Sequence, residues 1–568
     1  MRHDKAVALI LLISVGLSVA GASCTGTPQA SEPRPPVPTA SAAPKAITPP
    51  PQLQATVGLP GAPGNLGPFG DSAGSDVVTG LVYPGLTRID DRGLPVADLA
   101  ETWEVSPDGL VYTFHLRKGV LWQDGTPVTT DDVMFTLGAL TSESFPLPER
   151  DKWLKRQVSK TGDGVEIRVP KPDPSLLYDA NAPVLPQRVY RGRRPLEWPV
   201  IQAISEKGQV LAWGSGPFVL SSVTRERSAA SLVFSASGSY YGGKAKIETL
   251  TVRFYQDQEE LVRDAAAGKL DLALAYASDV RLDQVGPDVD ARAFPAQSLV
   301  SLVFNCGKKR GKTMSRFSDQ TIRKVVGRIA REALAGADAL PVVPVRSALA
   351  AFPWAAAPDQ EAGGGYEQVA RECAEMLIAD GWSKEGDFWR RSGETLSFEM
   401  YLPNSDPVRV RLGKAISERL KGFGIVCKVT EDEPQVFVKR ADPPFDYDAV
   451  LLGWVVPDSA DLFEILHSSS VPYVDWSTVK ISGGENIMQY KDRAVDQALE
   501  AFRQAGTVQA RVDAANRVIR LIDEKVPFAP LYAHRGVIFA RKGLKAGNVS
   551  PFDLFYNVVQ WSKVPAAP

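Results

Sequence analysis

The 568-residue chain is 44% hydrophobic and 23% charged, the proportions of an ordinary globular protein, and its length gives room for roughly two to four domains. Its 64 basic residues meet 66 acidic ones for a formal charge of −2. That balance supplies no basic surplus to hold nucleic acid and no acidic block to act as a solvating tail.

Arg2 and Lys5 precede the apolar run "AVALILLISVGLSVA", and Gly21-Ala22-Ser23-Cys24 follows it. A basic start, a short apolar stretch and small residues make a secretory signal, and the run is short for a bilayer span. The segment resembles a bacterial lipobox, which implies removal of residues 1–23 and lipidation of Cys24. Gly21 stands where that pattern prefers Leu, so plain cleavage near Ser23 stays open. Residues 25–51 hold nine prolines and one large apolar residue, Ile47. The linker 24–52 cannot bury a core and should run extended, on the order of 80 Å at roughly 3.1 Å per residue. Lipid, spacer and body describe a protein held off the outer face of a cytoplasmic membrane.

Next comes Gly70-Asp71-Ser72-Ala73-Gly74, a literal G-x-S-x-G, the nucleophile-elbow pattern of serine hydrolases. An elbow needs a strand ending at the serine and a helix leaving it. The preceding "GLPGAPGNLGPFG" leaves no room for that strand, and His115, His467 and His534 stand in no pattern that would complete a triad. Asp71 and Ser72 are therefore read as loop residues, and a hydrolase acting through Ser72 is the weakest of three readings.

From Leu53 onward strand-like and helix-like segments alternate, the pattern of an α/β fold with largely parallel sheets. "LTVRFYQ" (250–256), a helix capped by Asp257 and stopped by Gly268, and "LDLALAY" (270–276) make one βαβ unit. "LSFEMYL" (396–402), the helix 407–424 and "IVCKVTE" (425–431) make another, with "DYDAVLLGW" (446–454) a further strand. Helical periodicity also marks 319–334, 365–381 and a pair near the C-terminus, "YKDRAVDQALEAFRQAG" and "TVQARVDAANRVIRLIDEKV". Ligands of open α/β sheets gather at the carboxyl ends of strands. That rule nominates Tyr255, Gln256, Tyr276, Asn305, Tyr401 to Asn404, and Trp454 to Asp458. These side chains are aromatic and amide more than acidic or basic, which suits a binding cleft better than a reaction centre.

Cys306, Cys373 and Cys427 stand in no C-x-x-C or Cys/His pair, which argues against a metal cage. One disulfide with one lone thiol and three buried inert cysteines are both open. His467 beside three serines lacks the further ligands a transition-metal site needs. The glycines 363–365 lack the Lys-Ser/Thr of a phosphate loop. No cofactor or metal is expected.

"LAETWEVSPDGLVYTFHLRKGVLWQDGTPVTTDDVMFTL" (99–137) resembles the signature region of the family 5 extracellular solute-binding proteins, the peptide- and nickel-type receptors of ABC importers. Its local reading is a hairpin about Lys118-Gly119, a turn at "DGTPV" and a helix capped by Thr130. "VYPGLTRID" (82–90), "GSGPFVL" (214–220), "SLVSLVFNC" (298–306), "GFGIVCKV" (422–429) and "VPFAPLYAHRGVIFARKGLKA" (526–546) follow in the family's order. The resemblance implies a two-lobed periplasmic-binding-protein fold of type II, in its large variant. Lobe I would comprise 53–84, 213–297 and 529–568, with an inserted subdomain at 85–212. Lobe II would comprise 298–528, with crossovers near Leu299 to Asn305 and Pro527 to His534.

The resemblance also implies that Trp454 forms an aromatic floor under the solute and that the Asp71 to Ser75 loop faces the cleft. Peptide-binding relatives carry an Asp four residues after the Gly of "GW". Here Pro457 holds that place and Asp458 and Asp461 follow, so the acid is shifted or the solute carries no peptide amine. The expected ligand-binding set is Trp454, Asp458, Asp461, Tyr401, Asn404, Asn305, Asp71 and Ser72. The expected protein is a monomeric, non-enzymatic receptor, tethered to the membrane through its lipid. It passes a peptide or small-molecule solute to a permease with its ATPase. The second reading is an envelope lipoprotein of the same fold with a regulatory or scaffolding role.

Overall fold

The computed structural model describes residues 53–564, apart from 65, 70–71, 143–144, 146–152, 194–213, 226–228, 277–281, 283–284, 310–312, 335–341, 356–364 and 476–479. Cys24 and Asp71 lie outside the described residues. The frame is one eleven-stranded mixed sheet. Its strands are β1 (Gln54–Pro60), β2 (Phe218–Arg225), β3 (Ala229–Ala236), β4 (Thr249–Tyr255), β5 (Leu272–Ala275) and β6 (Val289–Phe304). They continue with β7 (Val342–Pro344), β8 (Ser397–Pro403), β9 (Val426–Asp432), β10 (Ala449–Val455) and β11 (Phe528–Arg541). The order across the sheet is β9-β8-β10-β6-β11-β5-β1-β4-β3-β2, with β7 also paired to β11.

Two strands make this frame continuous. β6 and β11 run antiparallel over most of their length, and each serves both halves of the sheet. β11 pairs with β5 through Val537–Ala540, whereas β6 pairs with β10 through Ser298–Phe304. Both strands reach farther toward the first half than the sequence expectation. The early part of β6, "VDARAFP", has neither apolar alternation nor a free Pro-less run, and it forms a strand because β11 is there to pair with it.

The βαβ units form as read. β1 lies between β4 and β5 and is parallel to both, and β8 is parallel to β9. The helix linking β4 to β5, α1 of this description (Gln258–Ala266), is capped by Asp257 Oδ1, which accepts from Glu259 N at 2.8 Å. Gly268 follows at φ +70°, where a side chain would be strained. The helix linking β8 to β9, α2 (Pro407–Phe423), begins with Pro407 at its first turn and ends on left-handed Gly424.

Between β1 and β2 the chain builds a separate four-stranded sheet from Ala100–Val105, Val111–Leu116, Gln157–Thr161 and Gly164–Arg168. Two local expectations are corrected here. The hairpin turns at Asp108-Gly109, with Gly109 at φ +70° and its N–H on Ser106 O, not at Lys118-Gly119. The following helix is capped by Thr129 rather than Thr130: Asp132 Oδ2 accepts from the Thr129 N–H and hydroxyl, both at 2.9 Å. None of the three body cysteines is in a disulfide. Burial pushes the Cys427 thiol up to about 12 and the Cys306 thiol up to about 11, the chemistry of inert packing thiols.

Asp98, buried at the edge of this subdomain, carries a pH dependence. Burial pushes its carboxyl from 3.8 up to about 6, against the opposing effects of Arg88, the Tyr241 hydroxyl that donates to it, and Arg117. The folded value lies above the unfolded one, so the folded chain holds the proton more tightly. Stability should therefore fall as pH rises from about 4 through 6, by roughly 2–3 kcal/mol. Denaturant titrations of wild type and Asp98→Asn at pH 4 and pH 7 check this. Wild type should lose that amount relative to the variant, whereas parallel pH curves would mean that Asp98 is already ionised in the folded chain.

Candidate functional site

The two halves of the sheet meet where the β6–β11 register slips. Pro295 pairs with Arg535 and Leu299 with Ala533, leaving Ala296, Gln297 and Ser298 without ladder partners on β11. Such irregularities re-aim side chains and bend strands, which is why they recur beside functional sites. Ser298 Oγ lies 2.8 Å from His534 Nδ1, and Gln297 Nε2 donates to Asp458 Oδ1 at 2.7 Å. On the first-half side of the slip, the Phe294 ring lies over Gly536, where a Cβ would stand 2.1 Å from its Cζ. Tyr276, 45% exposed, meets the same ring edge-on at 6.2 Å between centroids.

The second-half side is built by the end of β10 and the start of α2. Trp454 sits edge-on to Phe528 at 5.1 Å, half-buried, and its indole N–H has no acceptor among the described residues. A buried donor left without a partner costs about 1–3 kcal/mol, which makes this N–H a candidate contact for a solute. Behind it, Arg409 is buried and ion-paired to Asp406 at 3.2 Å. Gly453 makes the room: a Cβ there would lie 3.0 Å from Arg409 Nη2. The guanidinium lies beside the Tyr532 hydroxyl and the His534 ring. Burial pulls the His534 imidazole below its usual value; Asp406 opposes this and Arg409 adds to it.

β10 also has an open edge. It pairs with β8 through Met400–Ala449 and Tyr401–Val450; beyond the buried Leu451 and Leu452, its end from Gly453 to Val455 is part-exposed and has no ladder partner on the β8 side among the described residues. A part-exposed, unpaired strand end beside an indole donor is a place for an extended backbone to lie.

The residues expected at the site are not all here. Trp454 and Asp458 are, and Asp458 is exposed apart from its bond to Gln297. Asp461 is already taken: Oδ2 accepts from Arg503 Nε at 2.7 Å and Oδ1 from Phe463 N at 3.0 Å. Asn305 is fully buried, donating to Tyr447 O and accepting from Gly307 N and Gln489 Nε2, so it locks a turn inside the second half. Tyr401 is buried with its hydroxyl on Glu399, and Asn404 donates to Glu433 on the surface. His467 stacks on Phe463 at 3.9 Å and caps a short turn through Ser469 N. Among the described residues no three His, Cys, Asp or Glu side chains are grouped to hold a metal.

Ser72 is a helix cap. It accepts from Ser75 N at 3.2 Å, at the start of the helix Ala73–Val82, and donates to Pro63 O at 2.8 Å. β1 ends at Pro60, well before it, so the elbow geometry is missing. Ser72→Ala should cost about 1 kcal/mol of stability, as lost caps do, and leave any esterase signal of the purified protein unchanged. A stoichiometric activity that vanished with this substitution would reverse that assignment. The sequence did not point to Gln297, Ser298, Asp406 or Arg409, and it named His534 only as the end of an expected crossover and as no part of a triad.

A family model described as bacterial extracellular solute-binding proteins, family 5 Middle, matches residues 95–471. The oligopeptide-binding protein AppA of Bacillus subtilis is 23% identical over 504 residues, covering 86% of this chain and 88% of AppA. A dipeptide-binding protein of Pseudomonas aeruginosa is 22% identical over 540 residues, covering 88% of this chain and 93% of its own. Among solved structures, NikZ from Campylobacter jejuni in complex with Ni(L-His) aligns with a TM-score of 0.58 at 23% identity, covering 90% of this chain and all of NikZ.

Proposed function

Since the chain belongs to the bacterial extracellular solute-binding proteins of family 5, we propose that it captures a peptide or peptide-like solute between two lobes and hands it to an ABC permease. The lobes are taken as 53–84, 213–297 and 529–568 for the first, with 85–212 inserted, and 298–528 for the second. Closure would be a hinge motion, with the slipped segment of β6 and the facing part of β11 absorbing the change. The observation that supports the peptide reading is the part-exposed, unpaired end of β10 from Gly453 to Val455 beside the Trp454 indole N–H. Main-chain pairing holds an extended peptide whatever its side chains, the indole adds area and one donor, and Asp458 offers an exposed carboxylate to a cationic end. The curated relatives named for oligopeptides and dipeptides support the same class.

Among the described residues the site holds no assembled reaction centre: Ser72 caps a helix, and Ser298 and His534 sit side by side without a third group hydrogen-bonded to the imidazole. The reading is a receptor and not an enzyme. Native mass spectrometry of protein purified without denaturation tests it. Retained mass fitting short peptides, lost on brief denaturation and refolding, is expected; a retained sugar or lipid would move the solute out of the peptide class.

The proposed location is the outer face of the cytoplasmic membrane, through lipid on Cys24. Two or more acyl chains hold a protein there stably, whereas one does not. Wild type should fractionate with membranes and Cys24→Ser with the soluble fraction; equal solubility of the two would remove the anchor.

A further inference from the structure

A cavity lies away from the residues of the candidate site. It measures about 240 Å³ and opens between the inserted subdomain and the C-terminal helix pair, Arg493–Gln504 and Val508–Lys525. Trp103, Tyr112, Pro95 and Leu177 line it from the subdomain, and Val508 and Arg511 from the helix pair. None of the hinge residues described above contributes to its wall. An engineered apolar cavity of roughly 150 Å³ accepts benzene, so this one has room for an aromatic ring and a short arm.

Arg511 makes the cavity chemically specific. It is 3% exposed, yet none of the described carboxylates lies within ion-pair distance of it. The nearby acids belong to other cations: Asp173 and Asp179 to Arg156, and Asp461 to Arg503. Arg511 donates to two neutral carbonyls, Pro174 O at 2.7 Å and Ser459 O at 2.9 Å. Its guanidinium lies over the Tyr178 ring at 4.9 Å and the Phe502 ring at 4.8 Å. Nε, also buried, has no acceptor among the described residues. A guanidinium carries five N–H groups, and the two carbonyl bonds engage two of them. Burial pulls Arg511 below its usual value, as expected of a cation short of a counter-charge. Tyr112 cannot supply that charge, since its hydroxyl is spent on Asp173 O.

The geometry points to a second binding site, for a carboxylate carried on an apolar or aromatic body, with Arg511 meeting the carboxylate and Trp103, Tyr112 and Leu177 enclosing the body. The same chemistry could arrive as a free small acid or as the carboxyl end of a peptide finishing in an aromatic residue. Because the Ser459 carbonyl on Arg511 neighbours Asp458, an occupant would also tie the inserted subdomain to the loop beside the hinge site.

The probe is 3-phenylpropionate, titrated calorimetrically into the full chain with 3-phenylpropanol as its uncharged counterpart. Saturable one-to-one binding of the acid, at least tenfold stronger than that of the alcohol, is expected. Val508→Trp, which fills the cavity and leaves Arg511 in place, should abolish it, and Arg511→Met should weaken it at least tenfold. Trp454→Ala should leave it intact, which keeps the result separate from the fate of the peptide reading. Competition by a peptide ending in free phenylalanine, but not by its C-terminal amide, would assign the site to the end of the cargo; no competition by either would assign it to a free acid. Absence of saturable binding, equal binding of acid and alcohol, indifference to Val508→Trp, or loss on Trp454→Ala would each overturn the proposal.

Discussion

Arg156→Met should destabilise the chain by about 3–5 kcal/mol, the cost of removing one partner from a buried ionic group. Arg156 is 4% exposed and bridges two carboxylates through Nη2, Asp173 at 2.7 Å and Asp179 at 2.5 Å, while its guanidinium lies over the Trp153 ring at 4.7 Å. Without it two acids face each other with no cation between them. Burial raises the Asp173 carboxyl, and Arg156 with Ser175 outweighs that and holds it below the usual range. The segment it pins, Asp173 to Asp179, presents the Pro174 carbonyl and the Tyr178 ring to Arg511. Loss should therefore appear both in denaturant midpoints and as early proteolysis within the inserted subdomain. A variant as stable as wild type would show that the triad contributes nothing net.

Asp458→Asn and Asp461→Asn should separate binding from stability. Asp458 is exposed and, among the described residues, hydrogen-bonded to Gln297 alone at the register slip, which on the proposed reading leaves its carboxylate for a cationic peptide end. A charge-assisted hydrogen bond there contributes roughly 1.5–3 kcal/mol, so Asp458→Asn should weaken peptide binding on the order of tenfold or more, with little change in stability. Asp461 is bound to Arg503, and both side chains are largely buried, at 14% and 15% exposure. Asp461→Asn should cost stability, on the order of 1–3 kcal/mol, and leave affinity nearly unchanged. Parallel calorimetric and denaturant titrations read both effects. The reverse pattern would place Asp461, not Asp458, against the solute.

Much of the fold was legible where local chemistry decides it. Asp257 and Gly268 bracket a helix by cap and stop, the helix read at 407–424 forms as Pro407–Phe423, and apolar runs at 270–276 and 446–454 are strands in the sheet. The thirty-nine-residue signature at 99–137 carried the family through spacing rather than through any single side chain. What the sequence did not disclose depends on partners far along the chain. β6 pairs with a strand more than two hundred residues away, and no local pattern announces the slip after Pro295. Arg409 reads as one of several arginines on a polar helix until Gly453 leaves space for it. Arg511 reads as an ordinary surface cation, and its burial follows from a carbonyl 337 residues away.

The candidate site was half legible for the same reason. Trp454 at a strand end could be named from the "GW" pattern, and its missing acceptor is visible only in three dimensions. Asn305 and Tyr401 also stand at strand ends, yet their polar atoms are consumed by Tyr447, Gln489 and Glu399. Position at the carboxyl end of a strand finds the cleft, and only the hydrogen bonds say which side chains remain available to it.

The most direct test is isothermal titration of wild type and Trp454→Ala with a mixed library of short peptides. Saturable binding by wild type is expected, with an affinity loss on the order of thirtyfold or more in Trp454→Ala, the usual consequence of truncating a tryptophan hot spot. Absence of any peptide binding by wild type, or undiminished binding by the variant, would contradict capture of a peptide at the end of β10.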